Sequence, residues 1–375
     1  MHWKGRNDME RRITVSNIQL MSLIVISSLG TSSLYAPATL ARYAERNSWY
    51  LVLAGGAVGL LNVFVFLWLN RLHPDKSLIK LCMHLLGPLL GGVLALAFAF
   101  YFLDITSWVL REFAQFFTIA LNPVTPQTWY LVAGAVMCLY AVYHGLEVFA
   151  RVSEIIFFVT AITFLAIYLL LVNQYSPEYL LPVLEEGMIK PLNGLILSGS
   201  WFGDLMCISM VIQHVRKTKR TTAYATGAVG ITTLLMLLSV LSCTMLFGAR
   251  ATETFTYPIV SLIQNIKLFR NIERFDAALV AVWVMSSFVK ITVYFWAAVQ
   301  GLKEVLRIRK PRLFLLPLAC GFVLCSKYKV WGLIELASFY DKQALYFLSF
   351  QLFAPSLLLM VALIRKDSHN RRVNS

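Results

Sequence analysis

Apolar residues gather into ten runs, at roughly 14 to 40, 49 to 70, 79 to 104, 127 to 146, 151 to 173, 193 to 214, 221 to 247, 276 to 302, 312 to 327 and 342 to 364. Each is near the ~20 residues a helix needs to cross hydrocarbon. The first and sixth runs are interrupted by small polar stretches, Ser27 to Ser33 and Ser198 to Asp204, at matching places in two five-segment halves. Unwound backbone within a membrane must be satisfied by a ligand, an ion, water or protein, so paired interruptions point to a site at the bilayer midplane. The pattern predicts an all-α integral membrane protein of about ten transmembrane helices with helices 1 and 6 broken. Its single transmembrane domain covers 13–364, with repeat one at about 13–173 and repeat two at about 193–364. A segment at 1–12 and a tail at 365–375 flank it.

Composition agrees with this class. Of 375 residues 58% are apolar and 14% charged, with mean hydropathy +0.69, too little polar surface to cover a water-soluble globule. With the amino terminus inside, the inner segments collect most of the 33 Lys and Arg, in clusters such as Lys4 to Arg12, Arg216 to Arg220, Lys303 to Arg312 and Arg365 to Arg372. Both termini are therefore expected in the cytoplasm. The net charge of +14 is spread over short clusters at helix ends with no contiguous stripe, which favours anionic membrane lipid and argues against nucleic acid. Six cysteines and six histidines form no metal-ligand spacing, so no metal, cofactor or enzyme chemistry is expected.

Three connecting pieces carry expectations. Residues 105–126 read as an extension of span three or as an outer helix. Residues 174–192 form an acidic, proline-rich outer loop with Glu178, Glu185 and Glu186. Ile259, Leu262, Ile263, Ile266 and Phe269 recur at helical spacing opposite Gln264, Lys267, Arg270 and Asn271, which suits a helix on the outer interface, either a lid or docking surface or a membrane-anchored loop.

Ile13 to Gln19, Ser28 to Leu34, Trp49, His144 to Arg151, Leu181 to Leu184, Tyr257-Pro258, Ile272 to Asp276, and Trp283 followed by Phe288-Val289-Lys290 form an ordered set of segments. Together they resemble the B subunit of bacterial spore germinant receptors. That family is related to the amino acid, polyamine and organocation transporters. The resemblance implies a leucine-transporter-type 5+5 inverted repeat. It also implies a sporulation-linked sensor of a small germinant, often an amino acid, in the spore inner membrane beside an A subunit and a lipoprotein C subunit.

In such a fold, half-helix ends present free N–H groups to a carboxylate and free C=O groups to an ammonium. The expected ligand contacts are Gly30, Thr31 and Ser32 on span one and Gly199, Ser200 and Gly203 on span six. Gly199 and Gly203 also form a small-xxx-small pair that packs helices. Trp201, Phe202, Tyr101 and Tyr294 are candidate aromatic walls or ordinary core. Lys290, basic and near the middle of span eight, must face the interior, because an unpaired ammonium there costs roughly 2.5 to 3.5 kcal/mol. It is expected to point at the span-one interruption near Ser286 and Ser287, in the place of a coupling sodium ion in sodium-dependent relatives, or to lock helices together. Asp204 either receives a ligand amine, relays a proton or caps a half-helix. Glu147, Arg151 and Glu154 share a helix face, as an inner gate latch or a surface pairing.

Three functions remain open on the sequence: a nutrient sensor, a proton-coupled amino acid transporter, and a conduit for water or ions during germination. Pocket residues alone do not separate the first two.

Overall fold

Ser16 opens the first helix with a reciprocal cap: its hydroxyl accepts from the Gln19 amide N–H at 3.1 Å, and the Gln19 side chain accepts from the Ser16 N–H at 3.0 Å. In the computed structural model, which describes residues 14–74, 76–183, 192–216, 218–265, 275–308, 310–329 and 343–373, this helix, α1, runs from Asn17 to Ala44. A 3-10 turn at Glu45–Asn47 folds the chain back into α2 (Ser48–Leu72). There follow α3 (Leu78–Leu86), α4 (Leu90–Phe116), α5 (Gln127–His144), α6 (Leu146–Leu170) and α7 (Leu192–Gly203). The second half continues with α8 (Ile208–Val211), α9 (Thr221–Phe247), α10 (Ala249–Thr254), α11 (Pro258–Gln264), α12 (Phe275–Leu306) and α13 (Leu315–Lys329). The last segment runs from Gln343 through a π-helical turn at Ser349–Phe353 into α14 (Ala354–Val373).

Seven helical stretches among the described residues are long and apolar enough to cross a membrane, the first being α1 and α2 together. Helices α5 and α13 stand where the fourth and ninth apolar runs were expected. The centre of the bundle is built from the helices that are buried on all sides. Every residue from Ser22 to Ala38 of α1, from Leu197 to Ile212 of span six and from Val289 to Val299 of α12 is buried. Peripheral helices turn apolar side chains outward, as Ile155, Ile162 and Leu169 do along one face of α6, the pattern of a lipid-facing surface.

The interruption expected in span six at Ser198 to Asp204 is displaced: α7 stays helical through Gly203, and α-helical geometry is lost only from Asp204 onward. After Gly203 the backbone tightens into a 3-10 turn at Asp204–Cys207, continues as α8 and tightens again at Ile212–His214. The interruption expected in span one is corrected: α1 keeps helical backbone through Ser27 to Ser33. Its polar groups turn inward on the helix, with the Ser32 hydroxyl donating to the Ser28 carbonyl one turn back.

Two further expectations change. Span three does not begin at 79, because Gly87 (φ +83) and Pro88 end α3, and α4 starts at Leu90 and extends to Phe116. Residues 105–116 are thus the continuation of that span and lie inside the bundle. The helix expected on the outer interface is α11, and its apolar side is buried against protein: Ile259, Leu262 and Ile263 pack inward as α11 meets α1, α9 and α12. Ile266, Phe269, Lys267, Arg270 and Asn271 of that motif, and Glu185 and Glu186 of the acidic loop, lie outside the described residues.

Candidate functional site

Lys290 on α12 reaches across the bundle to both interrupted runs. Its Nζ donates to Thr31 Oγ1 on α1 at 2.7 Å and to Asp204 Oδ2 in span six at 2.6 Å, with both charged residues buried. A buried ion pair survives only when its remaining lone pairs are satisfied, and Asp204 meets that condition. Its Oδ1 accepts from Gln351 Nε2 at 3.0 Å, and its backbone carbonyl accepts from the Tyr294 hydroxyl at 2.8 Å.

Backbone carbonyls of both segments also accept from side chains of neighbouring helices. Asn62 of α2 donates to the Gly203 carbonyl at 3.4 Å. On α1, Ser287 of α12 donates to the Gly30 carbonyl at 2.8 Å. Side chains from α2 and α12 therefore hold this backbone, while Gln351 of the last segment holds the Asp204 carboxylate.

Beside the ion pair is a cavity of about 30 Å³, wide enough for one or two water molecules. It brings together Thr31, Ser200, Trp201, Asp204 and Lys290 of the expected set. Ile105, Trp108, Val109 and Glu112 of α4 and Phe347 of the last segment complete the wall. The lining joins charges of both signs, hydroxyls and apolar rings, which is the composition of a site that orients a small polar molecule. A guest larger than water requires the wall to move.

Other expected residues stand outside this lining. A side chain at Gly30 would come within 3.1 Å of the Ser286 carbonyl oxygen, so this glycine serves the close approach of α1 and α12. Ser32 is engaged with its own helix. Gly199 faces Val58 and Leu348, Gly203 faces Gln351, and the Phe202 ring fills the space left by Gly55 and Gly59 on α2. These are packing contacts, and they explain the small residues at Gly203, Gly55 and Gly59, whereas a Cβ at Gly199 would meet only ordinary contact. Tyr101 stacks on Phe350 with ring centroids 4.8 Å apart, and Tyr294 works through Asp204.

At the end of the bundle where α1 begins, Glu147 does not use the face it shares with Arg151 and Glu154. Its Oε1 accepts from the Thr14 N–H at 3.0 Å, while Arg151 is exposed and Glu154 half-buried. Val15 is bonded to the end of span six, donating to the His214 carbonyl at 2.9 Å and accepting from the Arg216 N–H at 2.9 Å. Among the described residues no group of His, Cys, Asp and Glu is placed to hold a metal ion.

Sequence reasoning missed Glu112, Trp108 and Gln351. The signal for Glu112 was its setting, with Trp108-Val109-Leu110 before it and Phe113-Ala114 after it, an apolar context that keeps a carboxylate inside. Gln351 is buried within the π-helical turn at Ser349–Phe353, and the sequence carries no signal for that turn.

The sequence pattern of the family described as spore germination protein matches residues 14–330. Spore germination protein KB of Bacillus subtilis (strain 168) is 26% identical over 363 residues, covering 95% of this chain and 96% of that protein. Spore germination protein YndE of the same organism is 25% identical over 313 residues, covering 82% and 84%. Spore germination protein B2, also from that organism, is 26% identical over 301 residues, covering 77% and 80%. Among solved structures, the nucleobase-cation-symport-1 family transporter Mhp1, closed with bromovinylhydantoin bound, superposes with a TM-score of 0.65 at 10% identity, covering 93% of this chain and 78% of that one. MhsT in complex with L-phenylalanine superposes with a TM-score of 0.54 at 14% identity, covering 96% and 99%. These likenesses show a leucine-transporter-type fold in a multi-pass membrane protein. With the pattern match spanning most of the chain, the protein belongs to the spore germination protein family.

Proposed function

We propose that this chain is the nutrient-sensing subunit of a spore germinant receptor, and that a small germinant, an amino acid by the charge pattern of the wall, binds in the cavity between spans one and six. The observation that carries the reading is the convergence of Thr31, Ser200, Trp201 and the Lys290–Asp204 pair on one cavity at the centre of the bundle. Fixed charges of opposite sign match a zwitterion, and the rings offer an apolar surface to its side chain. A structural neighbour, MhsT, holds L-phenylalanine; a ligand of that size enters this cavity once its wall moves outward. In this reading the chain lies in the spore inner membrane with both termini cytoplasmic, beside an A subunit and a lipoprotein C subunit. Ligand binding shifts the bundle between states by its differential affinity, and the partners convert that shift into germination.

The test is nutrient-triggered germination of spores carrying the parent or Thr31→Val, with immunoblots showing equal amounts in the inner membrane. Losing one hydrogen bond to a charged group predicts about a tenfold rise in the nutrient concentration for half-maximal response. An identical dose response would move the germinant out of this cavity.

The buried Lys290–Asp204 pair also favours a second reading, a proton-coupled amino acid transporter, since intramembrane ion pairs mark proton and substrate pathways. Net uptake of labelled amino acid into liposomes containing this chain alone would select that reading over sensing.

A further inference from the structure

A second cavity, about 20 Å³, lies at the end of the bundle where α1 begins, between α2, α3 and α8. Its polar lining consists of Asn70, Lys76 and Ser209, set among apolar side chains such as Phe66, Leu69 and Ile212, and no lining residue is a carboxylate. Asn70 Nδ2 and Ser209 Oγ are buried without a hydrogen-bond partner among the described residues, and Ser209 is only 4% exposed. A buried donor left unpaired costs about 1 to 3 kcal/mol, so two of them facing one small cavity call for a common acceptor.

Among the described residues lining this cavity, Lys76 alone brings positive charge to its mouth. Lys76 is half-buried there, and its charge acts on both His73 and His84, whose rings meet edge to face at 5.3 Å. Burial, and then the Lys76 and His84 charges, lower the His73 pKa below its ordinary value. The nearby Glu304 is paired with Lys80 at 3.6 Å and with the Ser77 hydroxyl, while Asp75 lies outside the described residues. A water molecule would satisfy the amide and hydroxyl, whereas an anion would in addition give Lys76 a counter-charge, which no described residue of the cavity lining supplies.

We propose that this pocket binds an anionic oxygen of a phosphate group, with Asn70 Nδ2, Ser209 Oγ and Lys76 Nζ as its donors. Basic pockets between helices at the cytoplasmic side of membrane proteins suit acidic lipid headgroups, and the apolar walls here suit the adjoining glycerol and acyl carbons. Free phosphate offers the same oxygen without the apolar part. The site joins α2 and α3 to α8, the piece of span six beyond the Asp204 turn. An occupied pocket therefore clamps that half of span six, and its occupancy regulates how readily the central cavity opens.

The experiment is thermal unfolding of the purified full chain in detergent, titrated with phosphatidylglycerol, phosphatidylcholine or inorganic phosphate, for the parent, Lys76→Gln and Ser209→Ala. Both substitutions are mild, and equal melting in phosphatidylcholine verifies that each variant folds. The expected result is stabilisation of the parent by phosphatidylglycerol, with each variant requiring about tenfold more of it, the ratio for one lost charge-assisted hydrogen bond. Equal stabilisation by inorganic phosphate, lost in the same variants, would support the site with free anion as the source. Stabilisation that is the same for phosphatidylcholine, or that is unchanged in Lys76→Gln and Ser209→Ala, would overturn it.

Discussion

Lys290 and Asp204 meet at 2.6 Å in the centre of the bundle, one from α12 and the other from the turn where span six leaves α-helical geometry. With Thr31 of α1 as third member, the pair ties together the three helical segments most deeply buried in the fold. Any rearrangement of span six relative to α12 must stretch or break this contact.

Removing one member strands the other. Lys290→Met or Asp204→Asn is expected to destabilise the chain by about 3 to 5 kcal/mol, because an uncompensated charge or lost acceptor is left in an apolar interior. The double substitution Lys290→Met with Asp204→Asn should cost less than the sum of the single losses. Denaturant titration of the purified variants measures this, and strictly additive losses would show that the contact carries no coupling.

The glycines of the two interrupted runs should respond differently to the same change. Alanine at Gly30 places its Cβ 3.1 Å from the Ser286 carbonyl oxygen, a backbone atom that can yield only if a helix shifts. Alanine at Gly199 meets its nearest neighbour, Val58, at 3.5 Å. Gly30→Ala is therefore expected to lose about 1 to 3 kcal/mol, and Gly199→Ala to stay within about 0.5 kcal/mol of the parent or to gain slightly from helix propensity. Melting temperatures of the two variants in one detergent decide this, and a reversal of their order would contradict the assigned packing.

Gln351 acts on Asp204 from the last segment. Gln351→Leu keeps the volume but removes the donor to Oδ1, so Asp204 is expected to turn and weaken its bond to Lys290. The nutrient dose response should shift while Gln351→Glu, which brings a second carboxylate to Asp204, is worse than Gln351→Leu. A response equal to the parent in both variants would show that the last segment does not influence the pair.

Much of this organisation was legible in the sequence. The ten apolar runs and the inward direction of Lys290 follow from membrane thickness and the cost of a lone charge in hydrocarbon, whereas the polar run Ser198 to Asp204 marked the neighbourhood of the span-six change but not its place, since helix persists through Gly203. The state of α1 was not legible, because serines can leave a helix unbroken by bonding to carbonyls one turn earlier, as Ser32 does. Glu112 was missed because Arg111-Glu112 reads as the polar end of a span, whereas the turn at Gly87-Pro88 shifts the whole of α4 so that this dipeptide is buried. Long-range partners such as Asn62 for the Gly203 carbonyl depend on helix rotation, which a near-uniform apolar helix like α2 does not encode in its periodicity.

The most direct test of the central cavity is a thermal-shift screen of the standard amino acids on the purified full chain, repeated with Ser200→Leu, whose larger side chain occupies the cavity that Ser200 lines. At least one amino acid should raise the melting temperature of the parent, and that rise should vanish in Ser200→Leu while the unliganded variant still melts cooperatively. A rise preserved in Ser200→Leu, or no response of the parent to any amino acid, would contradict the assignment of ligand binding to this cavity.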